Sequence, residues 1–396
     1  MLLKNCKYII TQNNKRQVLQ NKDLLIEGST IKKIGKIQGK GIDCSKKIVM
    51  PGLINTHTHL GMHSLKGMKD DVELFDWLKW ISKEEAKLTP KKVKENTIAG
   101  INEAVKFGTT TIYDSYKNAE GRAEAFEKSG VRGVISSTTK DEKTFKKSVA
   151  FLKSMKSNLV RGAIAVHSIY DCPEEIIQKT IEYSNKEKIL RRVHIGETRK
   201  ERADILAKKG KLAIEYLDSL GFLAENSLLV HCIWITKGEI KRIAKTGTKV
   251  SHNPVSNMKL ASGGVMPLVE MLQENITVGL GTDSVASNNN LDLFEEMKTA
   301  ALLHKHHKWD AGAVTAQQIL DMATINGAKC LGIEKIGSLE EGMNADIITL
   351  NLSENLMPVN NIISAIVYSA NGFNVSDSII NGKQILENGL FINKRS

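Results

Sequence analysis

Eight times along this chain a short apolar run rich in β-branched residues gives way to a longer stretch with helical spacing. The runs fall at residues 49–57, 108–114, 131–138, 160–168, 190–197, 228–232, 249–253 and 277–283. Between them lie segments such as KKVKENTIAGINEAVKF (91–107) and residues 174–187, whose apolar side chains recur every three or four positions. Several of these segments end at glycine (Gly108, Gly130, Gly221), the residue that most easily adopts the left-handed conformation closing a helix. Strand–helix alternation repeated in this way predicts an α/β protein built on a (β/α)8 barrel, with parallel strands inside and helices outside.

The flanks follow a different rule. Residues 1–48 hold short alternating runs such as LLIEG and TIKKIGKI, typical of hairpins. The last fifty residues behave alike: ADIITLNL, IISAIVYS and SIINGKQILENGLF, with Asn381-Gly382 as a turn signal. The expected organisation is therefore an N-terminal part of a β-sandwich at 1–49, a metal-dependent barrel at 50–336, and the C-terminal part of the same sandwich at 337–396. The two ends of the sequence would then meet in space.

Composition excludes several alternatives. The five cysteines are scattered and form no CxxC pair, which argues against a disulfide framework or a cysteine zinc site. No apolar run approaches the ~18 residues of a membrane span, and no basic-then-apolar leader precedes the first strand. A cytoplasmic protein without a membrane partner is expected. The net charge of +12 invites a nucleic-acid partner, but the 56 lysines and arginines are interleaved with 44 acids, and aromatic residues make up only 5%. A solvated lysine-rich surface accounts for this charge, and no nucleic acid is expected to bind.

The unusual polar residues sit at the ends of the predicted strands. The first strand leads into His57 and His59, the fourth into His167, the fifth into His194 and Glu197, the sixth into His231, the seventh into His252 and the eighth into Asp283. In such barrels the C-terminal rim carries the active site, built from several strand ends. His57 and His59, two apart on a strand, share one face. With His194 and Asp283 they make three imidazoles and a carboxylate, a donor set suited to Zn²⁺ or Fe²⁺ rather than Mg²⁺. Such a site lowers the pKa of water in an open position toward ~7, so that hydroxide is available near neutral pH. Glu197 can protonate a ring nitrogen or a leaving group. His231 can orient the attacking water, and Asp283 can take its proton. The HKHH cluster at 304–307 reads as a solvated helix face.

Longer strings carry a family resemblance over nearly the whole chain. PGLINTHTHLG resembles the first-strand motif of the amidohydrolase superfamily. HIGET, LLVHC, SHNPVSNMKLASGG and GLGTDSVASNNNLDLFEEM resemble its deaminase branch acting on S-adenosylhomocysteine and 5′-methylthioadenosine. IGSLEEGMNADIITL resembles the usual return from barrel to sandwich. The resemblance implies one divalent metal, Zn²⁺ first with Fe²⁺ or Mn²⁺ as alternatives, on His57, His59, His194 and Asp283. No lysine stands where binuclear relatives carry a carboxylated one. It further implies that Glu197 protonates purine N1 and that His231 orients the water. The substrate would be a small adenine nucleoside (5′-methylthioadenosine, S-adenosylhomocysteine, 5′-deoxyadenosine or adenosine), converted to the inosine analogue and ammonia.

For substrate contacts the resemblance points to Glu85 on the ribose hydroxyls, with Glu84 as an off-by-one alternative. It also points to Trp77 near the nucleoside and to His167 in the pocket wall, although Ile169 replaces the usual proline. Both glutamates also read as solvated helix charges, and Trp77 as core. After the third strand, SSTTKDEKTFKKS offers lysines where relatives selective for S-adenosylhomocysteine carry arginine. Smaller 5′ groups are therefore expected to compete well. A homodimer or tetramer is implied. Alternative functions are a deaminase or chlorohydrolase of another heterocycle (guanine, cytosine, a pterin or a triazine) and, more remotely, a non-catalytic binding barrel.

Overall fold

The computed structural model describes residues 1–72 and 74–392 of the chain. Its first strands are β1 (Leu2–Ile10), β2 (Val18–Glu27), β3 (Thr30–Gly35), β4 (Ile42–Asp43) and β5 (Lys47–Pro51). The barrel strands follow: β6 (Leu53–Thr58), β7 (Thr109–Ser115), β8 (Arg132–Thr139), β9 (Val160–Val166), β10 (Arg191–Ile195), β11 (Ser227–His231), β12 (Lys249–His252) and β13 (Val278–Leu280). The chain then returns through β14 (Ile347–Asn351), β15 (Val375–Ile380), β16 (Lys383–Glu387) and β17 (Leu390–Phe391).

β6 to β13 form one eight-stranded parallel sheet in sequence order. It closes through a parallel bridge between Thr58 and Asp283 and through hydrogen bonds at the same seam. The Thr56 hydroxyl donates to the Leu280 carbonyl at 2.8 Å, and the Asp283 amide to the His57 carbonyl at 3.0 Å. Apolar side chains such as Val193, Leu229, Val250 and Phe294 form part of one large buried cluster between strands and outer helices. This is the (β/α)8 architecture expected from the alternation.

The remaining strands form one nine-stranded sheet drawn from both ends of the sequence. Its centre is the antiparallel pairing of β5 with β14, Met50 opposite Ile348. Leu3, Ile9, Leu24, Val49, Ile347 and Ile379 belong to the apolar cluster of this layer. The run at 49–57, read in the sequence as a single strand, is two strands in two sheets. Gly52 separates them, and a Cβ there would run into the Thr110 side chain of β7, so the chain passes from one sheet to the other where only glycine fits. Among the described residues no helix is long and apolar enough to cross a membrane.

Candidate metal centre and cleft

β6 delivers His57 and His59 to the C-terminal rim, and its last residues are fully buried. Asn55 ties this strand end to the other side of the seam. Its carbonyl oxygen accepts from the amides of His57 and Thr282, both at 3.2 Å, and its amide donates to the Thr282 hydroxyl at 2.8 Å. Asp283 follows in the left-handed region at φ +59°, a conformation uncommon outside glycine and asparagine.

Hydrogen bonds at the back of three ligand candidates, His59, His194 and Asp283, fix which atom faces inward. His59 Nδ1 donates to the Ser115 carbonyl at 2.5 Å, and His194 Nδ1 to the His167 carbonyl at 2.9 Å. Both rings therefore present Nε2 as a lone pair, the usual support of a metal-binding histidine. Asp283 Oδ2 accepts from the Ser256 and Ser287 hydroxyls at 2.7 and 3.2 Å, leaving Oδ1 for the cluster.

The inward atoms converge. Asp283 Oδ1 lies 3.2 Å from His57 Nε2 and 3.4 Å from His59 Nε2, and His57 Nε2 lies 3.3 Å from His194 Nε2. A tetrahedron with metal–ligand bonds of 2.0–2.1 Å has edges of about 3.3–3.4 Å. Three of the six separations match that edge, and the donor set fits one divalent ion in its chemistry. Burial, reinforced by Arg192, holds His57 and His194 well below the usual imidazole range, so both are the neutral form that a metal requires. For Asp283 burial alone would raise the carboxyl, but the neighbouring imidazoles of His57 and His59 prevail and it stays ionised.

Glu197 and His231 face the same space. Gly196, at φ +63°, makes the turn after β10, and the buried Glu201 carboxylate accepts the amides of Gly196 and Glu197 at 3.1 and 2.8 Å. That clamp presents the Glu197 side chain, whose Oε2 lies 3.8 Å from His231 Nε2. Burial away from water and the charge of Asp283 push the Glu197 carboxyl up to about 8, against the opposing Arg192. His231 is itself left-handed at φ +77°. Its Nδ1 lies 3.0 Å from Asn257 Nδ2 and 3.3 Å from Asn253 Nδ2. As acceptor there, the ring carries its proton on Nε2, toward the cleft.

These groups open into a cleft of about 710 Å³, within the range of small-molecule sites. Trp77, Glu85 and His167 line it together with Glu197, His231 and Asp283. Glu85 sits beside the Tyr116 phenol, while Glu84 is engaged with Lys87 at 2.7 Å, which separates the two sequence candidates. Trp77 is buried with Met62, Ile81 and Leu260, and its indole N–H has no protein partner. His167 Nδ1 lies 2.6 Å from Asp171, which also pairs with Lys140 at 3.1 Å.

Two histidine readings change. His252, at the end of β12, turns away from the cleft and meets His304, Nε2 to Nε2 at 3.0 Å. His304 is fully buried, so only His306 and His307 of the HKHH cluster form the solvated face. The sequence reading missed Arg192. It lies two residues before His194 on β10, fully buried, and its Nη2 lies 3.1 Å from both ring nitrogens of His57 and in contact with His194 Nε2.

A model of the amidohydrolase family matches residues 48–385. The 5′-deoxyadenosine deaminase of Methanosarcina barkeri is 38% identical, covering 98% of this chain and 93% of the relative. The 5-methylthioadenosine/S-adenosylhomocysteine deaminase of Thermococcus onnurineus is 39% identical over 98% of this chain and 94% of its own length. Among solved structures, a zinc-bound adenosine deaminase from Xanthomonas campestris superposes with a TM-score of 0.96 at 29% identity, covering 99% and 94% of the two chains.

Proposed function

The chain belongs to the amidohydrolase family, and we propose that within it the protein is a metal-dependent hydrolytic deaminase of a small adenine nucleoside. The observation that carries this reading is the convergence of His57, His59, His194 and Asp283 at the floor of one cleft, with Glu197 and His231 facing the same space. Zinc is the ion favoured by that donor set, and one ion suffices.

A divalent ion held there supplies a Lewis acid that makes hydroxide available near neutral pH. The protein does the rest. Asp283 accepts a proton from the attacking water, whose approach the Nε2–H of His231 orients. Glu197, protonated at neutral pH, gives its proton to purine N1 as C6 is attacked. C6 becomes tetrahedral, the amino group takes the proton held by Asp283 and leaves as ammonia, and the oxygen of water remains as the 6-oxo group once its last proton has passed to Glu197. Glu85 holds the ribose hydroxyls, while Trp77 and His167 pack along the nucleoside. On the resemblance, the enzyme works in the cytoplasm as a homo-oligomer and requires neither nucleic acid nor membrane.

Among the described residues no arginine lines the cleft, and Lys140 is already engaged by Asp171. Adenosine, 5′-deoxyadenosine and 5′-methylthioadenosine should therefore compete well with S-adenosylhomocysteine. Ammonia release from these four nucleosides and from aminated free bases, with added zinc, manganese or iron, tests both points. Turnover of a free base but of no nucleoside would remove the reading. A preference of several hundredfold for S-adenosylhomocysteine would remove the 5′ assignment alone.

A further inference from the structure

β10 alternates its side chains, and the alternation sends its two arginines to opposite destinations. Arg191 points to the helix layer, where Nε donates to the Phe222 carbonyl at 2.8 Å and Nη1 to Asn185 Oδ1 at 2.5 Å. Arg192 shares the face of His194 and points into the barrel. It is fully buried, and its Nε and Nη1 find no hydrogen-bond partner. Its Nη2 touches His194 and stands 3.1 Å from the His57 ring nitrogens. Of the two carboxyl groups close enough to act on it, Glu197 is protonated at neutral pH, which leaves Asp283 as its anion. A buried cation with unpaired donors, set against two of the four ligand candidates, is costly unless it serves the site.

We propose that Arg192 is an internal counter-cation of the metal site, competing with the divalent ion for His57 and His194 and lowering the affinity of the site for metal. This inference rests on the metal-site reading given above. Asp283 is a buried carboxylate that needs positive charge nearby. Alongside the imidazoles of His57 and His59, the Arg192 guanidinium adds positive charge to the ligand cluster. Metal binding then exchanges one cation for another rather than filling an uncompensated anionic pocket. The guanidinium must withdraw from the imidazole nitrogens, and its remaining charge repels the ion.

The test is the zinc dissociation constant of the whole chain, measured by competition with a chromophoric chelator. Arg192→Gln and Arg192→Met remove the charge, and Arg192→Lys keeps it. The two neutral variants are expected to bind zinc on the order of 10- to 100-fold more tightly than the unaltered protein, the range over which groups behind metal ligands act. The lysine variant should stay near the unaltered value. Zinc should also raise the thermal midpoint more in the neutral variants, because their metal-free form lacks the compensating charge. Equal or weaker zinc binding in the neutral variants would overturn the proposal.

If zinc binding is reduced by Asp283→Asn yet indifferent to Arg192→Gln, the proposal falls and the metal site stands. If Asp283→Asn leaves zinc binding unchanged, both fall. Should the neutral variants fail to fold, ¹⁵N-arginine NMR of the unaltered chain decides, with Arg192→Lys assigning the signal. The Arg192 guanidinium resonance is expected to shift on zinc addition, and a resonance that does not move would refute the competition.

Discussion

The amide of Asp283 donates to the carbonyl of His57 at 3.0 Å, across the seam where the last barrel strand meets the first. One hydrogen bond thus helps close the barrel and sets the spacing between two ligand candidates. Closure and site assembly are the same structural event.

Asp283→Asn separates the two roles. Asparagine tolerates the left-handed backbone and leaves the main-chain bond intact, so the circular dichroism spectrum should not change. The negative charge is lost, and kcat/KM should fall on the order of 10³-fold or more, together with weaker zinc retention on dialysis.

Glu197 sets the alkaline limb. Its carboxyl is raised, and the protonated form is the working acid, so activity is present below its pKa and falls about tenfold per unit above it. Without metal that pKa is about 8, and the charge of a bound cation favours the carboxylate, so the limb in kcat/KM should lie at or below 8. Glu197→Gln should lower kcat by roughly 10²- to 10⁴-fold with zinc content unchanged.

Glu85 and Glu84 are neighbours with different surroundings. Glu85→Ala should lower kcat/KM for adenosine by roughly 10- to 100-fold, the worth of a charged hydrogen bond. Glu84 pairs with Lys87 on the helix surface, and Glu84→Ala should leave turnover within about twofold. Steady-state kinetics on the two variants distinguishes them.

The buried pair of Arg122 and Asp114, 2.7 Å apart, underlies the loop after β6. Asp114 also accepts from the Leu60 amide at 2.7 Å and the Thr58 hydroxyl at 3.0 Å, on either side of His59. Arg122→Met leaves that carboxylate buried without its cation and should cost about 3–5 kcal/mol in urea unfolding.

The barrel was legible because its strands and helices differ in period, and the rim because histidines and acids interrupt apolar runs at their ends. What stayed hidden has physical reasons. β5 and β6 are both buried on two faces, so no alternation marks the step at Gly52 between them. His304 continues the buried helix face of Phe294, Met297 and Ala300, a periodicity present in the sequence but masked by the charged residues around it. His252 shows that a histidine at a strand end faces the cleft only when its pleat parity agrees. Arg192 reads as solvated because buried arginine is rare, yet its parity with His194 was visible in RRVHIGET.

The pairing of β5 with β14 has a consequence for how the protein is made. Met50 emerges from the ribosome long before Ile348, with the whole barrel between them, so during synthesis β5 carries an unpaired apolar edge. β5 gains its partner only after translation has passed Asn351, and the composite sheet is completed only after it has passed Phe391 of β17. Nascent chains stalled within the barrel should therefore remain protease-sensitive in residues 1–51 until the C-terminal strands arrive.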